Sequence, residues 1–370
     1  PAENGGVALQ NRIGLLAANG CKVIVDDIGL IAGIPTYEDS PIATLIGIIT
    51  NPQNNDITYV SAAQNLSQSI WEGLPDEDVD GDIYFTTDYY ANHITIPNGQ
   101  TIRVDLQWAN MWTTDDGVAM EDYDVFLYEA AFPYDLAHSE ELPQPGNFPE
   151  EYFEFQNTSG ADKTYFFNIN HAYDDNYDPN FPNIGVRLRL LVYSVDKTKA
   201  EVTLQSTYPD YQQNQAENQI SGHNAASGAI AVGAYRSTNQ NLLESFSEKG
   251  PTLIFKFDET TGEYLDPPSE SRNTPAVCGT DGVETRVGQL GLFSNPFGGT
   301  SAAAPHIAGI AALYRSRYQG KNSTETFNAL TSSAVGFDGG ANGTWNNKTG
   351  YGKANAYEML KKGLTVVESP

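Results

Sequence analysis

Apolar residues follow two different rhythms along this chain. Over residues 7–19, VALQNRIGLLAAN, Leu9, Ile13 and Leu16 recur at helical spacing and the pattern ends near Gly20, which predicts a helix. The run CKVIVDDIGLI over 21–31 is rich in β-branched residues, as expected of a strand buried on both faces of a parallel sheet. A second helix is predicted over 40–49, and a second buried strand over 57–65, ITYVSAAQN. Helix, strand, helix and strand in that order predict a layered α/β domain.

The rhythm changes at Leu74. From 75 to about 207 apolar positions alternate: Ile102, Val104, Leu106 and Trp108; Val125 and Leu127; Tyr165, Phe167 and Ile169; Val186, Leu188, Leu190 and Val192. Turn-rich stretches separate these runs. Period two repeated in this way predicts an antiparallel β-sandwich. The α/β texture returns after about 210, with a strand at 229–234, a helix after Ser301 and a closing helix near 354–363. The predicted division is therefore 1–74 and 208–370 for the α/β domain, with 75–207 inserted. An inserted domain has neighbouring termini, so this unit is expected to be removable without unfolding the rest.

Charge sharpens this division. The 370 residues carry a net charge of -27, and the segment 75–207 holds 25 acidic and 6 basic residues. Such a chain has little with which to replace counterions on phosphates, which argues against nucleic acid as a partner. Mean hydropathy is -0.40, and no apolar run reaches the length of a membrane span. The chain starts at Pro1 and shows no signal peptide, so a processed product is expected, and its acidity favours solubility outside the cell. The sequons at Asn65, Asn157, Asn322, Asn342 and Asn347 are compatible with a secreted protein. Two cysteines, Cys21 and Cys278, exclude a disulfide scaffold and leave either two buried thiols or a single bridge. The run DEDVDGD over 76–82 is not an EF-hand, since the twelfth position is Thr87 counted from Asp76 and Tyr89 counted from Asp78. Solvated linker charge and an irregular structural calcium site remain the alternatives. No other cofactor or metal is indicated.

The candidate chemistry lies in GGTSAAAPHIAGIAALY, 298–314. Glycines allow close backbone approach. A serine at a helix N-terminus sits where developing negative charge is favoured. Ala302, Ala303 and Ala304 leave room around the hydroxyl, and Pro305 is expected in the first turn, where its missing N–H costs little. A close-packed glycine/alanine helix is the plainer alternative. The segment resembles the G-T-S-x-A-x-P-H-x-A-G nucleophile motif of the subtilisin-like serine peptidases, the subtilases. Three further segments resemble parts of that family in the family's order: QISGHNAASGAIAVGA (219–234), ESFSEKGP (244–251) and PAVCGTDGVET (275–285). Together the resemblance covers roughly 210–360.

That resemblance implies a subtilisin-like α/β fold, with Ser301 as nucleophile. VSAAQN, 60–65, resembles the family's A-A-G-N segment, which gives Asn65 the oxyanion-donor role and departs from the pattern at Gln64, where the family has glycine. The family's H-G-T-H-V-A-G segment is absent. Of the five histidines, His93, His138 and His171 fall in the β insert, His306 is expected to pack, and His223 is assigned a turn or packing role. VIVDDIG, 23–29, superficially resembles the strand of the orienting aspartate. A helix precedes it, and Asn65 follows Asp26 by only 39 residues, so Asp26, Asp27 and Gly29 are assigned to the cleft wall. Two functions stay open. One is a serine endopeptidase acting on polypeptides, whose base and orienting aspartate come from an N-terminal fragment outside this sequence. The other is a non-catalytic extracellular structural or adhesive module that self-associates into oligomers or filaments.

Overall fold

The computed structural model describes residues 2–31, 33–74, 76–78, 80–85, 90–112, 121–140, 148–172, 186–196, 201–205, 219–258, 264–337 and 344–362. The chain begins with α1 (Ala2–Ala18), β1 (Val23–Asp26), α2 (Pro41–Thr50) and β2 (Thr58–Ala62). Strands follow one another next: β3 (Ile70–Gly73), β4 (Asn92–Ile96), β5 (Thr101–Trp108), β6 (Tyr123–Glu129), β7 (Leu136–Glu140), β8 (Glu150–Gln156), β9 (Lys163–His171), β10 (Leu188–Ser194) and β11 (Leu204–Gln205). The last part holds β12 (Ala229–Arg236), β13 (Thr252–Phe257), β14 (Tyr264–Arg272), β15 (Val277–Asp281), α3 (Arg286–Gln289), α4 (Thr300–Arg317), α5 (Ser323–Ser333) and α6 (Ala356–Lys362).

A parallel sheet in the order β1-β2-β12-β15 carries the α/β part. β2 is buried along its whole length because both faces are covered. Tyr59 joins Leu9, Ile13, Ile46 and Ile49 under α1 and α2. Val60 and Ala62 join Ile230, Val232, Ala303 and Ile307 under α4. On α1 the buried positions are Leu9, Ile13 and Ala17, while Leu16 is 42% exposed, so the inward stripe runs at i, i+4 and bypasses Leu16. Gly20 ends the helix at φ 80, and Cys21 N–H donates to Leu16 O.

The alternating segments form two antiparallel sheets, β3-β10-β5-β8 and β11-β4-β9-β6-β7. Their inward residues make one core that includes Ile94, Ile102, Val104, Leu106, Trp108, Val125, Leu127, Phe167, Leu188 and Val192. This α/β fold with an antiparallel insert agrees with the sequence expectation. The sheet starts ahead of residue 75, because β3 pairs with β10 (Ile70 opposite Leu191) and Trp71 lies in that core. Four residues are too few to display a period, so β3 is invisible in the sequence. The β13–β14 hairpin likewise escapes notice. Phe255 on it packs against the same core, and its N–H donates to Tyr37 O at 2.7 Å.

Hydrogen bonds tie the antiparallel sheets to the loop between β1 and α2. Gly33 N–H donates to Glu150 Oε1 (2.7 Å) and Thr36 N–H to Gln107 Oε1 (2.9 Å). Arg189 on β10 donates from Nη1 to Thr36 Oγ1 (3.3 Å) and from Nη2 to Gln219 O (3.1 Å).

Several side expectations resolve in the same frame. Cys21 and Cys278 are free thiols, so there is no bridge between them; Cys278 is buried, which pushes its pKa up, whereas Cys21 is partly exposed. In the acidic run, Asp78 Oδ1 accepts from the N–H groups of Asp80 and Asp82, and Asp82 Oδ1 accepts from the amides of Asn168 and Asn170. Among the described residues no three His, Cys, Asp or Glu side chains converge as a metal cage. Asn157 is fully buried with its amide donating to Ile96 O and Ala161 O, and Asn322 caps α5, so both side chains are in use. Asn342 lies outside the described residues.

His171, at the end of β9, is 2% exposed with Nδ1 at 2.9 Å from Glu77 and Nε2 at 2.6 Å from Glu121. Burial opposes the charged ring, but the hydrogen bonds to Glu121 and Glu77 outweigh it and raise the pKa. A raised folded pKa gives stability that is present in full below the unfolded value near 6.5 and lost as pH rises through the folded value. As pH rises above about 6.5 the chain should lose stability more steeply than its His171→Gln variant. Urea denaturation of both proteins from below to above that pH checks this, and parallel pH profiles would contradict it.

Candidate active site

Ser301 is the second residue of α4, an 18-residue helix whose N-terminus concentrates unpaired N–H groups and positive potential. The helix starts here for identifiable reasons. Gly299, at φ 92, breaks the preceding extended backbone, and its N–H donates to Asp281 at the end of β15. A Cβ at Gly299 would stand 3.0 Å from Asn65 Nδ2, so glycine meets both the dihedral and the close approach.

Asn65 follows β2 and closes onto the same helix start. Its Oδ1 accepts from Thr300 N–H at 2.9 Å and from Thr300 Oγ1 at 3.0 Å. A backbone N–H can only donate, so this contact fixes which end of the amide is oxygen. Nδ2 is thereby turned toward Gly299 and donates to no protein group among the described residues. Behind this loop Glu248 is fully buried, with Oε1 accepting from Leu66 N–H at 3.2 Å. Burial raises its pKa to about 8 despite the opposing charge of Arg189. Asp281 is also raised, chiefly by burial, with the Gly299 hydrogen bond acting against it.

Residues 201–352 match the model of the subtilase family. Among solved structures 58 chains match. The CspB protease of Clostridium perfringens aligns over 99% of this chain and 71% of its own at 14% identity and a TM-score of 0.58, which shows the shared fold. Residues 201–352 are thus similar to the subtilases. A lanthipeptide protease is 28% identical over 38% of this chain and 42% of its own, with a TM-score of 0.23. A protease of Pseudoalteromonas arctica is 16% identical over 38% of this chain and 37% of its own, with a TM-score of 0.22. No curated protein matches it.

The position before Asn65 is one of the few described non-glycine residues with a positive φ. Gln64 takes a left-handed backbone, φ 73, which costs a residue with a side chain about 1 kcal/mol. Its Nε2 donates to Asn224 Oδ1 (3.2 Å), and Asn224 Nδ2 in turn bonds Ile28 O, Ser61 Oγ and Ala62 O. Gly29 lies so close that a Cβ there would meet Gln64 Oε1 at 2.8 Å. The loops after β1 and β2 and the turn before β12 are thus joined through one side chain.

The other residues singled out in the sequence are spread around this point. Asp27 and Gly29 are exposed on the loop after β1. Asp26 turns inward: its side chain is 7% exposed, and Oδ1 accepts from Ile28 N–H, Ser61 Oγ and His223 Nε2, each at 3.1 Å. His223 is 1% exposed in a short turn, held by that aspartate. His306 does not pack as expected; it is exposed, and Nδ1 donates to Ala302 O at 2.7 Å. Five residues past Ser301, it points roughly 140° away around the helix. Among the described residues no histidine hydrogen-bonds Ser301. Pro305 falls in the second turn rather than the first, and its missing N–H is the one that would serve the Ser301 carbonyl.

Sequence reasoning missed Thr300, Asp281, Glu248 and Asn224 as parts of this arrangement. Each lay inside or beside a quoted family segment, but a pairing across many residues has no local signal. A concavity of about 330 Å³ lies at the other ends of β2 and β12, beside Thr58, Ile230, Phe327 and Arg272. Arg272 is already engaged by Asp39 and Glu270.

Proposed function

We propose that this chain is the nucleophile-bearing portion of a secreted serine endopeptidase. The supporting observation is the bonding of Asn65 Oδ1 to Thr300, which leaves Asn65 Nδ2 turned toward Gly299, two residues before Ser301. Ser301 Oγ attacks a peptide carbonyl, and the Asn65 amide with the Ser301 N–H receives the oxyanion. The base that takes the Ser301 proton, and the carboxylate that orients it, come from a subtilase segment outside this sequence. Asp27 and Gly29 border the cleft, and the antiparallel sheets between the two α/β parts form an inserted domain. The net charge of -27 suits an extracellular solute.

The docking place for such a segment is the outer side of β1. Among the described residues β1 pairs only with β2, so its other edge presents unpaired backbone groups. Val25 on this strand is 42% exposed and Leu313 on α4 is 57% exposed. An added strand would continue the sheet and cover them.

The test is complementation with an upstream subtilase segment that carries the histidine and aspartate motifs. The resulting complex should hydrolyse casein and react at Ser301 with a fluorophosphonate, and Ser301→Ala should abolish both. A complex that forms but leaves Ser301 unlabelled overturns the reading.

A further inference from the structure

Four large apolar side chains crowd onto the surface within seven residues: Val287 (41% exposed), Leu290 (58%), Leu292 (67%) and Phe293 (60%). They lie in the excursion between β15 and α4. Residues 287–299 carry no charged side chain, in a chain that is 18% charged. Apolar surface concentrated in this way usually marks a contact site.

The excursion is a built structure. Its ends are tied by reciprocal hydrogen bonds between Val283 and Phe297, at 3.0 and 2.8 Å. Thr285 caps α3, with Oγ1 accepting from Gly288 N–H at 3.0 Å. Gly288 packs so closely that a Cβ would meet Ser294 O at 2.8 Å, and the Phe293 and Phe297 rings meet edge-on at 5.7 Å. The apolar side chains are therefore held outward on an ordered frame.

Their position suggests what covers them. The excursion runs through Phe297, Gly298 and Gly299 directly into Ser301, and four residues span at most about 14 Å. In the sheet order β15 and β1 are the two outer strands with β2 between them, so the excursion after β15 and the loop that holds Gly29 leave the sheet from opposite edges, and Asn65 follows a strand between the two. An extended polypeptide lying across the carboxyl ends of the strands would pass from one to the other. Phe293 meets the ring of Phe297, four residues before Ser301, so at about 3.3 Å per residue an extended segment of about six residues would bridge from Ser301 to Phe293.

We propose that residues 287–293 dock an apolar stretch of the polypeptide substrate a few residues away from the bond that is cleaved. The inference rests on the peptidase reading and adds a substrate class to it: chains with clustered large apolar residues near the scissile bond. With no charged side chain on 287–299, selection there is by apolar area and not by charge.

The experiment measures fluorescence anisotropy of two labelled ten-residue peptides of equal net charge, one rich in Leu and Phe and one rich in Ser and Gln. Each is titrated with the full chain, with Leu292→Ser/Phe293→Ser and with Ser301→Ala. The apolar peptide should bind the chain, bind the double variant at least tenfold more weakly, and bind Ser301→Ala unchanged. The polar peptide should bind all three weakly. An unchanged urea midpoint for the double variant shows that its fold is intact. Equal binding of the two peptides, no binding, or an unaffected double variant overturns the proposal. So does sedimentation showing a dimer that only the double variant dissociates, because a second copy would then occupy the patch. Loss of apolar binding in the double variant beside an unlabelled Ser301 in the complemented complex would remove the peptidase reading and leave the docking surface. The opposite pair of results would do the reverse.

Discussion

Purified by itself, this chain is expected to leave a casein-type substrate uncleaved, with no difference between it and Ser301→Ala. Serine is a weak nucleophile at neutral pH until a base takes its proton. All five histidines lie within the described residues, and none hydrogen-bonds Ser301. His223 is buried on Asp26, His306 points away around α4, and the other three belong to the antiparallel sheets. Loss of the triad base in subtilisin, whose family residues 201–352 resemble, lowers kcat by about six orders of magnitude, and that figure is carried over from it. Serine-dependent turnover above background would show that a base had been overlooked.

The second large effect is expected at Asn65. Asn65→Ala removes the acceptor for the N–H and hydroxyl of Thr300, a residue with no exposed surface. Leaving such groups unpaired costs about 2 kcal/mol, which urea denaturation of the chain alone can measure. If the complemented complex is active as proposed, the same variant should lose about 10²–10³ in kcat, a magnitude that comes from the oxyanion asparagine of subtilisin. Asn65→Asp separates the two roles. Its carboxylate still accepts from Thr300 but cannot donate to an oxyanion, so stability should hold while turnover falls. Equal stability of Asn65→Ala and the parent would show that the Thr300 contact contributes little.

What the sequence revealed was what repeats locally. Ile102, Val104, Leu106 and Trp108 sit in one strand, each no more than 2% exposed, because period two places them on the face turned to the sheets' shared core. The long apolar run after Ser301 did form a helix, but its first residue was misjudged, and with it the turn that holds Pro305. The contacts that shape the site are of another kind. Asn65 and Thr300 are 235 residues apart, and Leu66 and Glu248 are 182 apart. No periodicity predicts such pairings. Gln64 was legible as a departure from the glycine of the segment it resembles, but its left-handed backbone and its reach to Asn224 appear only in three dimensions.

The contacts between the antiparallel sheets and the loop after β1 have a consequence for how this molecule can be taken apart. Gly33 and Thr36 donate to Glu150 and Gln107, Arg189 reaches Thr36 and Gln219, and Phe255 fills part of the sheets' core. Excising 75–207 would strip acceptors from those N–H groups and lay bare Trp71, Tyr37 and Phe255 at once. The insert behaves as a graft whose tissue has knitted to its host, and cutting at its two visible seams would leave a wound across the whole junction.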